Sequence, residues 1–412
     1  LIETKIRRGL QLTGGVWVRG PKYCGKTTTS RLFAQSEYSL QTDSDISMAQ
    51  INPLLALSGE APHLIDEWQK IPDLWNHVRA SIDKQGEFGL YLLTGSASPL
   101  ETDKIHHSGA GRITVIDMST LTLHETGEGS GLVSLSALFE GTQDDVLDAN
   151  VTQTLEKTVY QMCRGGWPNS LSDDWELSLD RTKAYCASLY TLAHLEDQNR
   201  RRLDVDVLKA ITRSYARNVS TEASVCLIGD DVRKSENLRL TDESLAQHLS
   251  YLRESFVLSD ISPWSPNLRS KATIRTTSTR HFCDVSVAIA SMGLKPAHLL
   301  RDPRTLGLLF EDFAVHELRV YANQIDGVVK HYRDKYGSEV DAVIELEDGR
   351  VGLCEIKLGG PDLIASGVDN LNRLYQSLED PSIVAFRMVI TAFGPCMKSG
   401  DVWIVPINAL KD

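Results

Sequence analysis

The chain has 412 residues, 42% hydrophobic and 24% charged, which is room for two or three domains, each with its own core. Its net charge of −12 excludes a protein that coats nucleic acid with its whole surface, but leaves a local basic face open. Seven scattered cysteines without a C-x-x-C pair argue against zinc and disulfide frameworks, and no apolar run approaches a membrane span; a reducing cytoplasm is the expected setting.

Position 1 is Leu, and no secretory pattern follows, so a trimmed start is expected. Val16-Trp17-Val18 reads as a buried strand. Gly20-Pro21-Lys22-Tyr23-Cys24-Gly25-Lys26-Thr27 then matches the phosphate-binding loop G-x-x-x-x-G-K-[ST] without a mismatch, and Thr28 onward reads as a helix. The glycines let backbone N–H groups converge on phosphate oxygens, and the helix start adds partial positive charge. Residues 20–28 are thus the expected ATP contacts. Lys26 would reach the β- and γ-phosphates, and Thr27 would hold a magnesium ion. The plain alternative is a glycine-containing turn before an ordinary helix.

Pro62 to Glu67 reads as a strand ending in two acids. Asp66 would hold the magnesium shell and Glu67 would polarise the attacking water. Leu74, Trp75, Val78 and Ile82 follow at helical spacing, with Trp75 expected in the core. A further strand, 89–93, ends at Thr94-Gly95-Ser96, where Thr94 and Ser96 could contact the γ-phosphate. All three signatures fall at the carboxyl ends of strands, where open α/β sheets bind ligands. His106-His107 is read as a solvated loop rather than a metal pair. Arg112, in the glycine-bracketed loop after it, is a candidate finger acting in a neighbouring subunit; a surface arginine is the alternative.

The loop GPKYCGKT, the segment HLIDEWQKIP, the LTGSAS strand end and the SGAGRI loop resemble the bacterial and archaeal AAA-like ATPases that carry a DUF4143 C-terminal region. The resemblance covers almost the whole chain. It implies Lys26 and Thr27 for phosphate and magnesium, Asp66 and Glu67 for metal and water, and Arg112 as a finger. One departure concerns the sensor position, where many AAA enzymes carry Asn and this chain offers Thr94 or Ser96.

The expected domains are a P-loop AAA-like ATPase domain over 1–150, a mostly helical winged-helix-like region over 151–303, and an α/β PD-(D/E)XK nuclease-like domain over 304–412. Leu132 to Phe139 is an apolar segment expected to dock. A helix from Leu155 stops at Arg164-Gly165-Gly166-Trp167-Pro168. Helices near 205–218, 221–229 and from 241, then a strand at 256–258 and a loop at 267–280, have the order of a winged helix. That loop holds Arg269, Lys271, Arg275 and Arg280 and no acid, so 241–280 is the DNA-contact candidate. Asp242, Glu243 and Glu254 weigh against it, and such modules also bind proteins. The basic run Arg200 to Arg202 with Lys209, Arg213 and Arg217 is read as a solvated helix face.

In the last part a helix carries Glu311 and Glu317. Strands at 328–332, 339–346 and 350–358 follow, the last two joined by Glu347-Asp348-Gly349. Pairing 346 with 350 sets Asp341 opposite Glu355, with carboxylates about 5 Å apart and Lys357 on the same face. This resembles a nuclease core in which Glu311 (or Glu317), Asp341 and Glu355 bind magnesium and Lys357 activates water. The alternative is an ordinary charged hairpin. The function expected is ATP hydrolysis coupled to DNA handling, in a chain that could form a homo-oligomer; the other reading is a nucleotide-gated protein-interaction module without nuclease activity.

Overall fold

The computed structural model describes residues 1–96, 109–145, 153–172, 174–195, 203–235, 238–266, 277–335 and 337–412. It divides into two compact units: Leu1–Thr120 with Glu254–Phe256, and Leu121–Arg253 with Val257–Asp412. The first unit closes near 120; beyond it the strand at Val133–Ser134 pairs with the strand at Leu410–Lys411, tying that connection to the end of the chain.

The first unit runs α1 (Ile2–Leu12), β1 (Gly15–Arg19), α2 (Lys26–Arg31), β2 (Ser36–Ser39), α3 (Asp43–Ile51), α4 (Pro53–Ala56), β3 (His63–Asp66), α5 (Leu74–Gln85), β4 (Tyr91–Gly95) and β5 (Ile113–Asp117). The strands form one parallel sheet in the order β2-β3-β4-β1-β5. A parallel sheet is covered on both faces, so β1, β3 and β4 read as near-continuous apolar runs, and all of their residues but Arg19 are buried. Two clusters fill the faces. One holds Trp17, Trp68 and Trp75, with ring centroids 5.1 to 5.6 Å apart; the other holds Ile6, Val16, Leu64 and Leu92. Trp68 is fully buried directly after the acid pair, so packing fixes the turn that carries it. Trp75, expected in the core, is there.

The second unit begins with β6 (Val133–Ser134) and α6 (Leu135–Glu140), the expected docking segment. Next come α7 (Leu155–Arg164), α8 (Trp175–Leu195), α9 (Val205–Arg217), α10 (Val225–Ser235), α11 (Asp242–Glu254), α12 (Val285–Met292) and α13 (Pro296–Leu299). α7 stops at Gly165, whose φ of 71° suits glycine. Leu245, Leu249 and Leu252 of α11 are buried on one face, as their spacing predicts. The strand expected at 256–258 is reduced to isolated antiparallel bridges, Leu258 with Phe282 and Ile261 with Thr279.

α14 (Pro303–Gln324) then leads into β7 (Val328–Arg333), β8 (Glu339–Glu345), β9 (Val351–Lys357), α15 (Pro361–Ser377), β10 (Val384–Thr391), β11 (Met397–Ser399), β12 (Val402–Pro406) and β13 (Leu410–Lys411). β7 to β12 form a mixed sheet in the order β11-β12-β10-β9-β8-β7. β7, β8 and β9 are an antiparallel meander, and α15 is the crossover to β10, which runs parallel to β9. Among the described residues no helix is long and apolar enough to cross a membrane.

Candidate functional site

The phosphate loop joins β1 to α2 at the carboxyl edge of the first sheet. Gly20 cannot be replaced there without movement, since a Cβ would sit 1.9 Å from the Met118 carbonyl oxygen. Gly25, with φ 105°, turns the chain into α2. Lys26 is buried, and its ammonium donates to the carbonyls of Gly20 (2.9 Å) and Pro21 (2.7 Å). Cys24 is packed beneath the loop with its thiol toward the Met118 carbonyl; burial pushes that thiol's pKa up, against the pull of Lys26. Lys22 and Tyr23 are on the outer side of the loop, where Tyr23 is exposed. Thr28 continues α2.

Around Asp66 the expected residues come together. Its Oδ1 accepts from Thr27 Oγ1 at 2.7 Å and from Thr94 Oγ1 at 2.5 Å. Its Oδ2 accepts from Gln41 at 3.3 Å and Ser39 at 3.4 Å. Parallel pairing explains the convergence: Asp66 is in register with Ser39 on β2 and with Thr94 on β4. Glu67, at φ 58°, turns out of the strand and accepts from Gln69 (2.5 Å) and Ser96 (3.1 Å). Ser39, Gln41 and Gln69 are additions to the sequence-derived set. Their signal was only that the neighbouring strand and the turn after the acids end in polar residues.

Magnesium is a hard cation that takes oxygen ligands, and the Thr27 hydroxyl and Asp66 carboxylate are an all-oxygen pair already in contact. These residues fit the ion. Arg112 does not join them. Its carbonyl accepts from the Gly15 amide at the start of β1, so it stands at the amino edge of the parallel sheet, and its guanidinium pairs with Asp83 of α5 at 2.8 Å. His106 and His107 lie outside the described residues.

In the second unit the hairpin register is as the turn dictates. Leu346 donates to Arg350, and the ladder runs through Ala342 opposite Cys354, which sets Asp341 beside Glu355. The Asp341 carboxylate accepts from the Ile356 amide at 2.7 Å and from Lys357 Nζ at 3.1 Å. Lys357 Nζ is also 2.5 Å from Glu355 Oε2, a close ion contact lying off the line of a hydrogen bond. Glu355 is fully buried; desolvation first, then Asp341, pushes its pKa up from 4.5 to about 8. Glu311 on α14 is raised too, by burial and then by Asp341. Lys357 is raised because Asp341 and Glu355 outweigh its burial. Gly367 of α15 brings that helix over the strand, since a Cβ there would be 3.5 Å from Glu355 Cβ. Among the described residues no three His, Cys, Asp or Glu are gathered to hold a metal ion; at this cluster the Lys357 ammonium is the cation between Asp341 and Glu355.

Two expected site residues have other employment. Glu317 does not replace Glu311: it is buried and accepts from the Leu123 amide (3.1 Å) and the Tyr321 hydroxyl (2.8 Å). Arg280, expected on the phosphate-contacting loop, is 6% exposed, donating to Asp260 and to the Ala223 carbonyl, both at 2.7 Å. A buried, paired guanidinium cannot lie along phosphates. Arg269, Lys271 and Arg275 lie outside the described residues.

Residues 13–127 match the AAA domain family, residues 155–298 a domain of unknown function (DUF8612), and residues 306–410 a domain of unknown function (DUF4143). Two uncharacterized proteins, of Mycobacterium bovis and of Mycobacterium tuberculosis, are each 25% identical over 357 residues, 86% of this chain and 72% of theirs. Among solved structures, the Walker-type ATPase of Pyrococcus abyssi aligns at 14% identity and a TM-score of 0.42, covering 70% of this chain and 94% of its own.

Proposed function

We propose that this chain, which carries an AAA-type P-loop ATPase domain and a DUF4143 domain, hydrolyses ATP with magnesium in its first unit. The observation that carries the reading is the hydrogen-bonded set Thr27–Asp66–Thr94 beside the buried Lys26. On nucleotide binding, Lys26 exchanges the carbonyls of Gly20 and Pro21 for β- and γ-phosphate oxygens. Thr27 and Asp66 would hold the ion, which supplies charge neutralisation at those oxygens. Glu67, aimed by Gln69 and Ser96, accepts the proton of the water that attacks the γ-phosphorus as the bond to ADP breaks. Arg112, at the opposite edge of the sheet, would serve only the site of a second copy. The test is magnesium-dependent ATP turnover by the full chain and by Lys26→Ala. Turnover is expected to vanish in the variant, and an undiminished rate would refute the assignment.

The DUF4143 domain is proposed to be nuclease-like and to act on DNA. For cutting, Lys357 has to leave Asp341 and Glu355, and Glu355 has to lose its proton. Magnesium- or manganese-dependent cleavage that disappears in Asp341→Ala is the expected result. The second reading is a nucleotide-gated interaction module, favoured by Lys357 lying against both Asp341 and Glu355. Absence of cleavage across several DNA forms would decide for it.

A further inference from the structure

One face of α8 and one of α9 meet α12 around a cavity of about 180 Å³. Lys183, Cys186 and Tyr190 recur on α8 at helical spacing, Lys209 and Arg213 stand one turn apart on α9, and Ser291 comes from the end of α12. Three cations therefore line one small space, and no carboxylate is among the described residues lining it. The acids paired with the two lysines face solvent. Asp180 pairs with Lys183 at 2.9 Å and is 70% exposed; Asp206 pairs with Lys209 at 3.4 Å and is 79% exposed. Exposed pairs of this kind hold weakly, so both ammonium groups can turn inward at little cost. Arg213 is steadied by donation from Nε to the Ser291 carbonyl at 3.4 Å. Tyr190 is buried against Thr212 and Ser291, placing a phenol beside the cations.

Cations crowded on a small cavity repel one another, and an oxyanion relieves that repulsion. Arg and Lys with hydroxyl donors are the groups that bind phosphate oxygens. Of the basic run noticed in the sequence, Lys209 and Arg213 are the members that reach the cavity. We propose that this cavity is a phosphate-binding site, taking the phosphate group of a small free anion or of a nucleic-acid backbone. All of its lining residues belong to the second unit, and it needs no ATP hydrolysis.

The test titrates the full chain, in a Lys26→Ala background that silences the phosphate loop, with inorganic phosphate in one arm and short duplex DNA in the other. Adding Lys209→Gln and Arg213→Gln should weaken at least one probe about tenfold or more, since each lost contact is a charge-assisted hydrogen bond. The surviving affinity should fall with salt. Loss confined to duplex identifies a backbone phosphate; loss of inorganic phosphate identifies a free anion. Equal affinities with and without the two substitutions, or no binding of either probe, overturn the proposal. Melting of the variant guards against misfolding. Should the pair not fold, Lys183→Gln, at a lysine half exposed on α8, repeats the measurement with the same outcomes.

Discussion

The substitution Thr94→Val isolates one bond of the nucleotide site. Thr94 is fully buried at the end of β4 and its hydroxyl donates to Asp66 Oδ1 at 2.5 Å. Valine keeps the shape and the strand preference, so no cavity forms. What is lost is one donor to a carboxylate that is itself 1% exposed. Hydrogen bonds to charged groups contribute about 1.5–3 kcal/mol. Thr27 still donates to the same oxygen at 2.7 Å, which argues for the lower half, about 2 kcal/mol. Calorimetry of the full chain should show the transition that responds to magnesium and ATP falling by about 10 °C. If the bond also holds Asp66 in place during turnover, kcat/KM should fall about thirtyfold for the same free energy. Thr94→Ser, which keeps the hydroxyl, should retain most of both. Parent-like melting and turnover in Thr94→Val would refute the reasoning, as would an equal loss in Thr94→Ser.

Glu67→Gln should leave ATP binding intact and lower turnover by about 10²–10⁴, the usual span for a lost general base; a drop in binding with turnover per bound ATP unchanged would place Glu67 outside the chemistry. Glu355 gives a pH prediction. Its folded pKa is raised from 4.5 to about 8, so the folded chain holds a proton that the unfolded chain releases in between. That contribution to stability is full below pH 4.5 and is lost as pH rises through about 8. In urea unfolding, Glu355→Gln, which stays neutral, should therefore gain on the parent between pH 5 and pH 9, and parallel curves would contradict the shift.

How far the sequence disclosed this site depended on where each residue's partner lies along the chain. The phosphate loop is contiguous, and the acid pair closes a short apolar run, so both were legible. The Asp341–Glu355 register was legible because a three-residue connection and a period of two leave no freedom once 346 pairs with 350. Ser39 and Gln41 were not, because nothing in one strand says which parallel strand lies beside it. Arg112 depends on pairing in the same way: parallel register puts it at the edge opposite the phosphate loop, so its proposed finger role is toward a second copy. Charges in the helical region were the least legible of all. A charge reads as solvated until its partner is known, and partners here are remote: Glu317 caps the Leu123 amide 194 residues away, and Arg280 reaches Ala223 across 57. Lys209 pairs locally with Asp206 and is half exposed, as a solvated face predicts; the cavity that it lines with Arg213 was not legible. The helix that turns their face into a cavity wall, α8, carries its own lysine at 183, and only packing could bring the two stretches together.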